Sequence, residues 1–416
     1  MHQIFNTLAM VLQLIIFTVT VYQMGISLAG FRRKAGRRTE HPPEQSFAIL
    51  VAAHNEEKVI APLLDNLARL DYPKPLYEVF VICDNCTDRT AEIAARHDVH
   101  VMERKDPARR GKGYAMEWML NKLWRRERQF DAVVVFDADN LVSTNFLREM
   151  NNKLKDGHRV IQSYVDTKNP FDSWVSLSYA ITYWFINRMW QQARHNWGMS
   201  STLSGTGMCF EAGLLREIGW NATSLTEDVE FTARCIGMDI HPTWAEKAIV
   251  YDEKPITLVS SIRQRLRWIR GHTDCARRYM KPLLLKAVRT RKFAQLDTVI
   301  YLFQPIRFLF VAAVWVMSYL QLATPLYTHF AILRAVPDWG WIALNTAIFL
   351  QFPLVMLVER RPWKSYLGLI LFPVFQFTWF PITFIGMLTS KNKTWSHTAH
   401  TRSIRLEEVA GQEISP

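Results

Sequence analysis

Residues 132–139 read Ala-Val-Val-Val-Phe-Asp-Ala-Asp. An apolar, valine-rich run closed by polar residues is the pattern of a strand buried on both faces. Asp137 and Asp139 then fall on the turn that leaves the strand, two residues apart, so both carboxylates can approach one point. Hard divalent cations take carboxylate oxygens together with phosphate oxygens. The pair therefore points to Mg²⁺ or Mn²⁺ and to a metal-bound diphosphate. An Asp-x-Asp alone is common by chance; its place after a fully apolar strand gives it weight.

Toward the N-terminus the same pattern recurs twice. Residues 46–53, Ser-Phe-Ala-Ile-Leu-Val-Ala-Ala, stop at His54-Asn55-Glu56-Glu57, and residues 77–82, Tyr-Glu-Val-Phe-Val-Ile, stop at Cys83-Asp84-Asn85. Between them Val59, Ile60, Leu63, Leu64 and Leu67 repeat at helical spacing. A helix is expected from Thr87 or Asp88, a short strand over 99–102, and another helix over 112–128. Strands alternating with helices imply a parallel sheet covered on both faces. Ligands of such sheets bind at the carboxyl ends of the strands. Glu56, Asp84, Asp137 and Asp139 are thus expected in one crevice.

Each motif has a plainer reading beside the chemical one. Asp84 can accept hydrogen bonds from a base or ribose; Asn85, Thr87 and Asp88 are good helix caps, with Asp88 the better one. Lys112, between Gly111 and Gly113, suits a phosphate or sugar, but the full P-loop spacing is absent. Cys83 and Cys86 have metal or redox spacing, yet no second pair follows and Cys83 ends a buried run, so both read as structural. Thr226-Glu227-Asp228 offers a general base, with Asp228 the better candidate and Glu227 assisting or capping. Gln264-Arg-Leu-Arg-Trp268 combines a guanidinium fork for phosphate with an indole that can stack on a sugar. Its plain reading is an interfacial helix with snorkelling arginines.

The charges are segregated. No Asp, Glu, Lys or Arg occurs in 1–30, 308–333, 339–358 or 365–390. Each stretch can cross a hydrocarbon core, which takes roughly 20 helical residues. The net charge of +12 does not require nucleic acid, because many basic residues border apolar stretches: Arg32, Arg33, Lys34, Arg37 and Arg38 after the first, and Arg360, Arg361 and Lys364 between the last two. Such clusters mark the cytoplasmic side. A retained anchor at 1–30 is expected, because a basic leader and a small-residue cleavage site are missing before Phe31. The expected division is an anchor at 1–30, a cytosolic catalytic domain at 40–250, interfacial helices at 251–295, membrane helices at 298–390 and a tail at 391–416. Aromatics with Arg188 and Arg194 over 171–200, and the basic stretch 260–285, suit amphipathic helices at a bilayer interface. One anchor and three later spans would leave the C-terminus outside, although Lys391, Lys393, Arg402 and Arg405 look cytosolic. Either 365–390, with Pro373 and Pro381, does not cross simply, or 298–333 supplies two passes.

The ordered set Asp-x-Asp, Thr-Glu-Asp and Gln-x-x-Arg-Trp resembles the membrane-embedded processive glycosyltransferases of family 2, such as cellulose, hyaluronan, chitin-oligosaccharide and poly-N-acetylglucosamine synthases. The resemblance covers about 45–400. It implies an α/β GT-A fold, a Rossmann-like nucleotide-sugar domain inserted between transmembrane helices with amphipathic interfacial helices. It further implies a UDP-sugar donor, Mg²⁺ or Mn²⁺, and a growing polysaccharide or a lipid as acceptor. By that resemblance Ala53, Glu56 and Asp84 contact uridine, Lys112 lies near the donor, and Asp137 contacts the nucleotide. Asp139 ligates the metal and Asp228 is the base. Gln264, Arg267 and Trp268 hold diphosphate and acceptor sugar, with Gly205-Thr206-Gly207 bordering the acceptor. The chain departs from the pattern at Ala53, which replaces the Thr of some members and leaves a backbone contact only. A single apolar segment precedes the catalytic domain, fewer than in cellulose synthases.

Overall fold

Three apolar strands lie side by side where the sequence places them, and the sheet then continues into strands it does not announce. The structure is a computed structural model and describes residues 2–32, 40–323, 336–394, 398 and 400–409. Arg33, Lys34, Arg37 and Arg38, and the end of the apolar stretch 308–333, lie outside the described residues.

The chain opens with helix α1 (His2–Ser27). The sheet follows: β1 (Phe47–Ala53), α2 (Ile60–Leu67), β2 (Tyr77–Asp84), α3 (Thr90–Ala94), β3 (His100–Arg104), α4 (Lys112–Leu123) and β4 (Ala132–Asp137). Helix α4 stops at Leu123, five residues short of the expected end. Next come β5 (Leu141–Val142), α5 (Phe146–Lys155), β6 (Val160–Thr167) and α6 (Trp174–Phe185). Helix α6 runs on through a π-helical stretch, Ile186–Gln192, into α7 (Ala193–Asn196). Then follow β7 (Met208–Glu211), α8 (Ala212–Ile218), α9 (Glu227–Gly237), β8 (Thr243–Asp252) and the long α10 (Leu258–Thr290). The chain continues with α11 (Phe293–Leu302), α12 (Gln304–Ala323), α13 (Asp338–Val358), α14 (Gly368–Phe377) and α15 (Trp379–Leu388).

The described strands form one sheet in the order β3-β2-β1-β4-β7-β6-β8-β5. Its first half is parallel, as expected: Phe47 stands between Tyr77 and Ala132. Beyond β4 the sheet is mixed. β7 is antiparallel to β4 and β6, while β6 and β8 run parallel with a register shift at Ser163/Tyr164. Alternate residues of β1, β2 and β4 feed two buried layers. Ile49, Val81 and Val134 pack toward α2 and α5, and Leu50, Phe80 and Val135 toward α4 and α8. Each such side chain contributes about 1.5–3 kcal/mol when fully buried.

Among the described residues three helical segments are long and apolar enough to cross a membrane: Met10–Phe31, Trp339–Val358 and Trp363–Leu388. A fourth counts if α11 and the start of α12, bent by 52°, form one broken span. The segment Trp363–Leu388 is docked at both ends on helices that continue the catalytic sheet. A Cβ on Gly368 would meet Leu177 of α6 at 2.7 Å, and one on Gly386 would meet Ile269 of α10 at 2.5 Å. Arg270 and Arg277 of α10 hydrogen-bond Thr389 and Ser390.

The two arginines read as interfacial are instead buried in ion pairs. Arg188 pairs with Glu359 just after α13, and Arg194 bonds Asp297 of α11 at 2.9 Å. Tyr22 of α1 donates to the same Asp297. These bonds tie the apolar helices to the sheet. Distant acidic residues neutralise the arginines, which residues 171–200 alone gave no means of seeing.

Candidate active site

At the carboxyl ends of β1, β2 and β4 the chain leaves the sheet at Ala53, Asp84 and Asp137 and opens a cavity of about 1370 Å³. That volume exceeds an ordinary small-ligand site of roughly 300–1,000 Å³. Of the residues singled out from sequence, Ala53, Glu56, Asp84, Lys112, Asp137, Asp139, Gly205, Thr206, Glu227, Asp228, Gln264, Arg267 and Trp268 all line it. Gly207 does not. It packs behind the wall in the left-handed region (φ 63°), where a Cβ would collide with Ser163 and Val250.

The wall is built from short, specific contacts. Lys112 opens α4 and donates to Asp137 Oδ1 at 2.5 Å and to the Gly205 carbonyl at 2.6 Å. Burial opposes its charge, but Asp137 and Glu227 hold it above the ordinary lysine range. Thr206 is buried and spends its hydroxyl on Asn140, which braces the turn carrying Asp137. Asp84 is less free than expected: Arg104 donates to it at 2.5 Å. Its burial raises its pKa, with Arg104 opposing. Asp88 is the expected cap of α3, but the N-cap position is taken by Arg89; Asp88, one residue earlier, accepts the first helical amide, that of Thr90, at 3.0 Å. Cys83 and Cys86 are free thiols, and Cys86 faces the Ala53 carbonyl.

Three acidic residues fill the first turn of α9, where the helix dipole favours them. They divide in use. Glu230 is saturated by the Thr223 and Ser224 amides, Arg278 and Tyr279. Glu227 and Asp228 face the cavity instead. Burial raises Asp228 to about 6 and Glu227 to about 7, with Lys112 pulling both back. A carboxylate poised near neutrality is suited to accept a proton. Gly271 explains why α10 comes so close: a Cβ there would meet the Thr226 amide at 2.7 Å. One turn earlier, Arg267 lines the cavity under the pull of Glu227 and Asp137, while burial lowers its pKa. Trp268 meets Tyr179 edge-on at 6.0 Å. The Gln264 amide oxygen is buried there with no hydrogen-bond donor.

Several residues enter the site unannounced by local sequence. His54 bonds the Asp84 carbonyl at 2.6 Å. Asp252, Glu253 and Lys254 arrive on the end of β8, with Lys254 bonded to Asp252 and lying over the Tyr183 ring. The C-terminal segment then crosses the crevice. His400 bonds both oxygens of Glu56, at 3.0 and 3.1 Å, and lies 3.9 Å from Asp139. The amides of Thr401 and Arg402 cap Glu253. Burial disfavours charge on His400, but Asp139, Glu56 and Glu253 outweigh it and raise its pKa.

The donor set can be tested against a divalent cation. Among the described residues no three acidic, histidine or cysteine side chains already converge on one point. Nevertheless Asp139 is buried, and that burial raises its pKa, the mark of a carboxylate short of positive charge. Asp137 is a partly exposed carboxylate on the same turn, and His400 would add an imidazole nitrogen on giving up the proton its acidic neighbours hold on it. Oxygen and imidazole donors on one wall fit Mg²⁺ or, with the nitrogen, Mn²⁺.

A family model described as glycosyltransferase like family 2 matches residues 42–271, more than half of the chain. The chain belongs to glycosyltransferase family 2. This family 2 transferase is 29% identical over 288 residues to the probable glycosyltransferase YdaM of Bacillus subtilis (strain 168), covering 64% of this chain and 66% of that one. It is 31% identical over 262 residues to a beta-monoglucosyldiacylglycerol synthase of Nostoc, covering 59% of this chain but 53% of that protein. It is 22% identical over 386 residues to the poly-beta-1,6-N-acetyl-D-glucosamine synthase of Staphylococcus epidermidis, covering 87% and 85%. The match thus spans just under two thirds of the first relative and about half of the second. Among solved structures, a mannosyltransferase of Pyrobaculum calidifontis in complex with GDP-Man and Mn²⁺ superposes with a TM-score of 0.58 at 16% identity, over 93% of this chain and 99% of that one. That likeness supports the GT-A-like fold.

Proposed function

We propose that this transferase is an inverting, processive polysaccharide synthase, extending a β-linked chain from a nucleotide-sugar donor and passing it between its own membrane helices. The observation that carries the reading is the continuity of the cavity. It runs from Asp137 and Asp228 to Phe308, Trp341 and Phe352 among the apolar helices. Rings there can stack on sugar faces, and the amides of Gln23, Gln304 and Asn345 can meet hydroxyls.

In this reading Ala53, Glu56 and Asp84 hold the base and ribose of the donor and Asp137 contacts the nucleotide, while Lys112, Gln264 and Arg267 hold its diphosphate. Asp139, with Asp137 and His400, would hold Mg²⁺ or Mn²⁺. The cation, when bound, neutralises charge on the diphosphate. Trp268, Gly205, Thr206 and Glu227 border the acceptor sugar. Asp228 takes the proton from the acceptor hydroxyl as its oxygen bonds the anomeric carbon. The carbon–oxygen bond to the diphosphate breaks on the opposite side, and Arg267 and Lys112 stabilise the departing charge. The catalytic domain would face the cytosol, beside the basic residues Arg360 and Lys364 that follow α13.

A second reading is favoured by the diacylglycerol-glucosylating relative and by the opening of the same cavity among apolar helices: one sugar added to a lipid. Incubating the purified protein with Mn²⁺ or Mg²⁺ and each UDP- and GDP-sugar in turn separates the two. A polymer among the products supports processivity, and a singly glycosylated lipid replaces it. No nucleotide release from any donor, with either metal, rejects the transferase reading.

A further inference from the structure

Among the described residues several buried or half-buried arginines meet a carboxylate, while Arg307, half-buried and facing the cavity, does not. Arg104, Arg188, Arg194 and Arg361 each meet a carboxylate. Arg265 is fully buried but is stacked on Phe375 and Trp379 and bonded to Thr378. Arg307, at the start of α12 just past the 52° bend, meets only neutral oxygens. It donates to Gln304 at 2.9 Å and to Thr20 of α1 at 3.4 Å, and its buried Nε has no partner. Among the described residues no Asp or Glu is paired with it. Two other donors at this end of the cavity are likewise buried and unsatisfied, Gln23 Nε2 and Trp341 Nε1. Thr20, Gln23, Gln304, Arg307, Trp341 and Asn345 together line the cavity where it passes between α1, α12 and α13.

An ionised side chain at membrane depth without a counter-charge is costly, and such residues face a pathway or a ligand. Here the unmet groups are all donors: a guanidinium edge, an amide nitrogen and an indole nitrogen. A donor cluster around one positive charge fits an anionic, oxygen-rich group, and a guanidinium matches phosphate geometry. The rings of Phe17, which meets Trp341 edge-on at 5.3 Å, and of Phe308 supply apolar surface beside it.

We propose that Arg307, with Gln23 and Trp341, forms a phosphate-binding site at the membrane end of the cavity, separate from the donor diphosphate site at the sheet. It rests on the reading of this cavity as the acceptor's path. The phosphate belongs either to a lipid lodged between α1 and α13 or to the free ion.

The test uses the full-length protein in neutral maltoside detergent, with binding followed by tryptophan fluorescence. Dodecyl phosphate is titrated into wild type, Arg307→Gln and Arg307→Lys, with inorganic phosphate as competitor and dodecyltrimethylammonium as a partition control. The expected result is saturable dodecyl phosphate binding, weakened about tenfold or more in Arg307→Gln and largely kept in Arg307→Lys. If millimolar inorganic phosphate displaces the probe, the site reads the free ion; if only the alkyl phosphate binds, it reads a lipid. Non-saturable uptake, equal uptake of the cationic control, or equal binding by Arg307→Gln with an unchanged melting curve overturns the proposal. Asp228→Asn should leave dodecyl phosphate binding as in wild type. If no sugar nucleotide is turned over while binding still depends on Arg307, the transferase reading fails and this site remains.

Discussion

At the sheet end of the cavity eight carboxylates line the wall: Glu56, Asp84, Asp137, Asp139, Glu227, Asp228, Asp252 and Glu253. At the membrane end stand rings, amides and the guanidinium of Arg307. The first region crowds acidic groups until burial pushes Asp228, Glu227 and Asp139 upward. The second spreads ring and amide contacts over a longer surface around the guanidinium of Arg307. Bond making needs a concentrated field that is already in place when charge develops. Under the proposed processive function, moving a polar chain would need contacts that hold without gripping, and amides and ring faces can supply them.

The comparison breaks most sharply at Asp228. Asp228→Asn is expected to slow transfer by about 10²–10⁴-fold, the usual contribution of a general base, while the donor still binds. Transfer rate and equilibrium donor binding check this together, and near-normal transfer would remove Asp228 from the base role. Asp139→Ala should weaken metal-dependent donor binding by roughly 100-fold, read by titrating donor with and without Mn²⁺. A variant that still binds donor as tightly as wild type in the presence of Mn²⁺ rejects Asp139 as a ligand.

A third test uses proton concentration. Asp228 acts as a base only when ionised, and its pKa is raised to about 6. Transfer should therefore fall as pH drops through that value, about tenfold per unit below it, whereas donor binding by the membrane-end variants should keep the wild-type profile. A pH–rate curve flat from 7 to 5 contradicts the assignment. The smallest effect is expected at the seam of the two regions. Gly271→Ala puts a methyl 2.6 Å from the Thr226 hydroxyl, and such overpacking costs about 1–3 kcal/mol. A melting temperature equal to wild type would show that α10 can retreat without loss.

Much of the sheet end was legible because its strands are apolar runs that stop at polar residues. β1, β2 and β4 follow that rule, so Ala53, Asp84 and Asp137 emerge together. β6 breaks it. Val160–Thr167 is buried throughout although half its residues are polar. Gln162 bonds the Thr206 carbonyl and the Ser204 amide, and Asp166 bonds Trp184 and Arg361. Polar residues satisfied from elsewhere in the chain erase the periodicity that marks a strand. The same holds for Arg188 and Arg194, whose partners Glu359 and Asp297 are far away in sequence. His400 had no local signal at all, since its meaning lies in Glu56 and Asp139.

The position of His400 carries a consequence for how the protein is made. Its partner Glu56 is synthesised 344 residues earlier. Between the two come the whole sheet and α10 to α15, including the apolar helices. During translation the crevice therefore stays without its last wall until those helices have been threaded past the ribosome and seated. A chain caught before that point would hold the sheet but not the finished crevice.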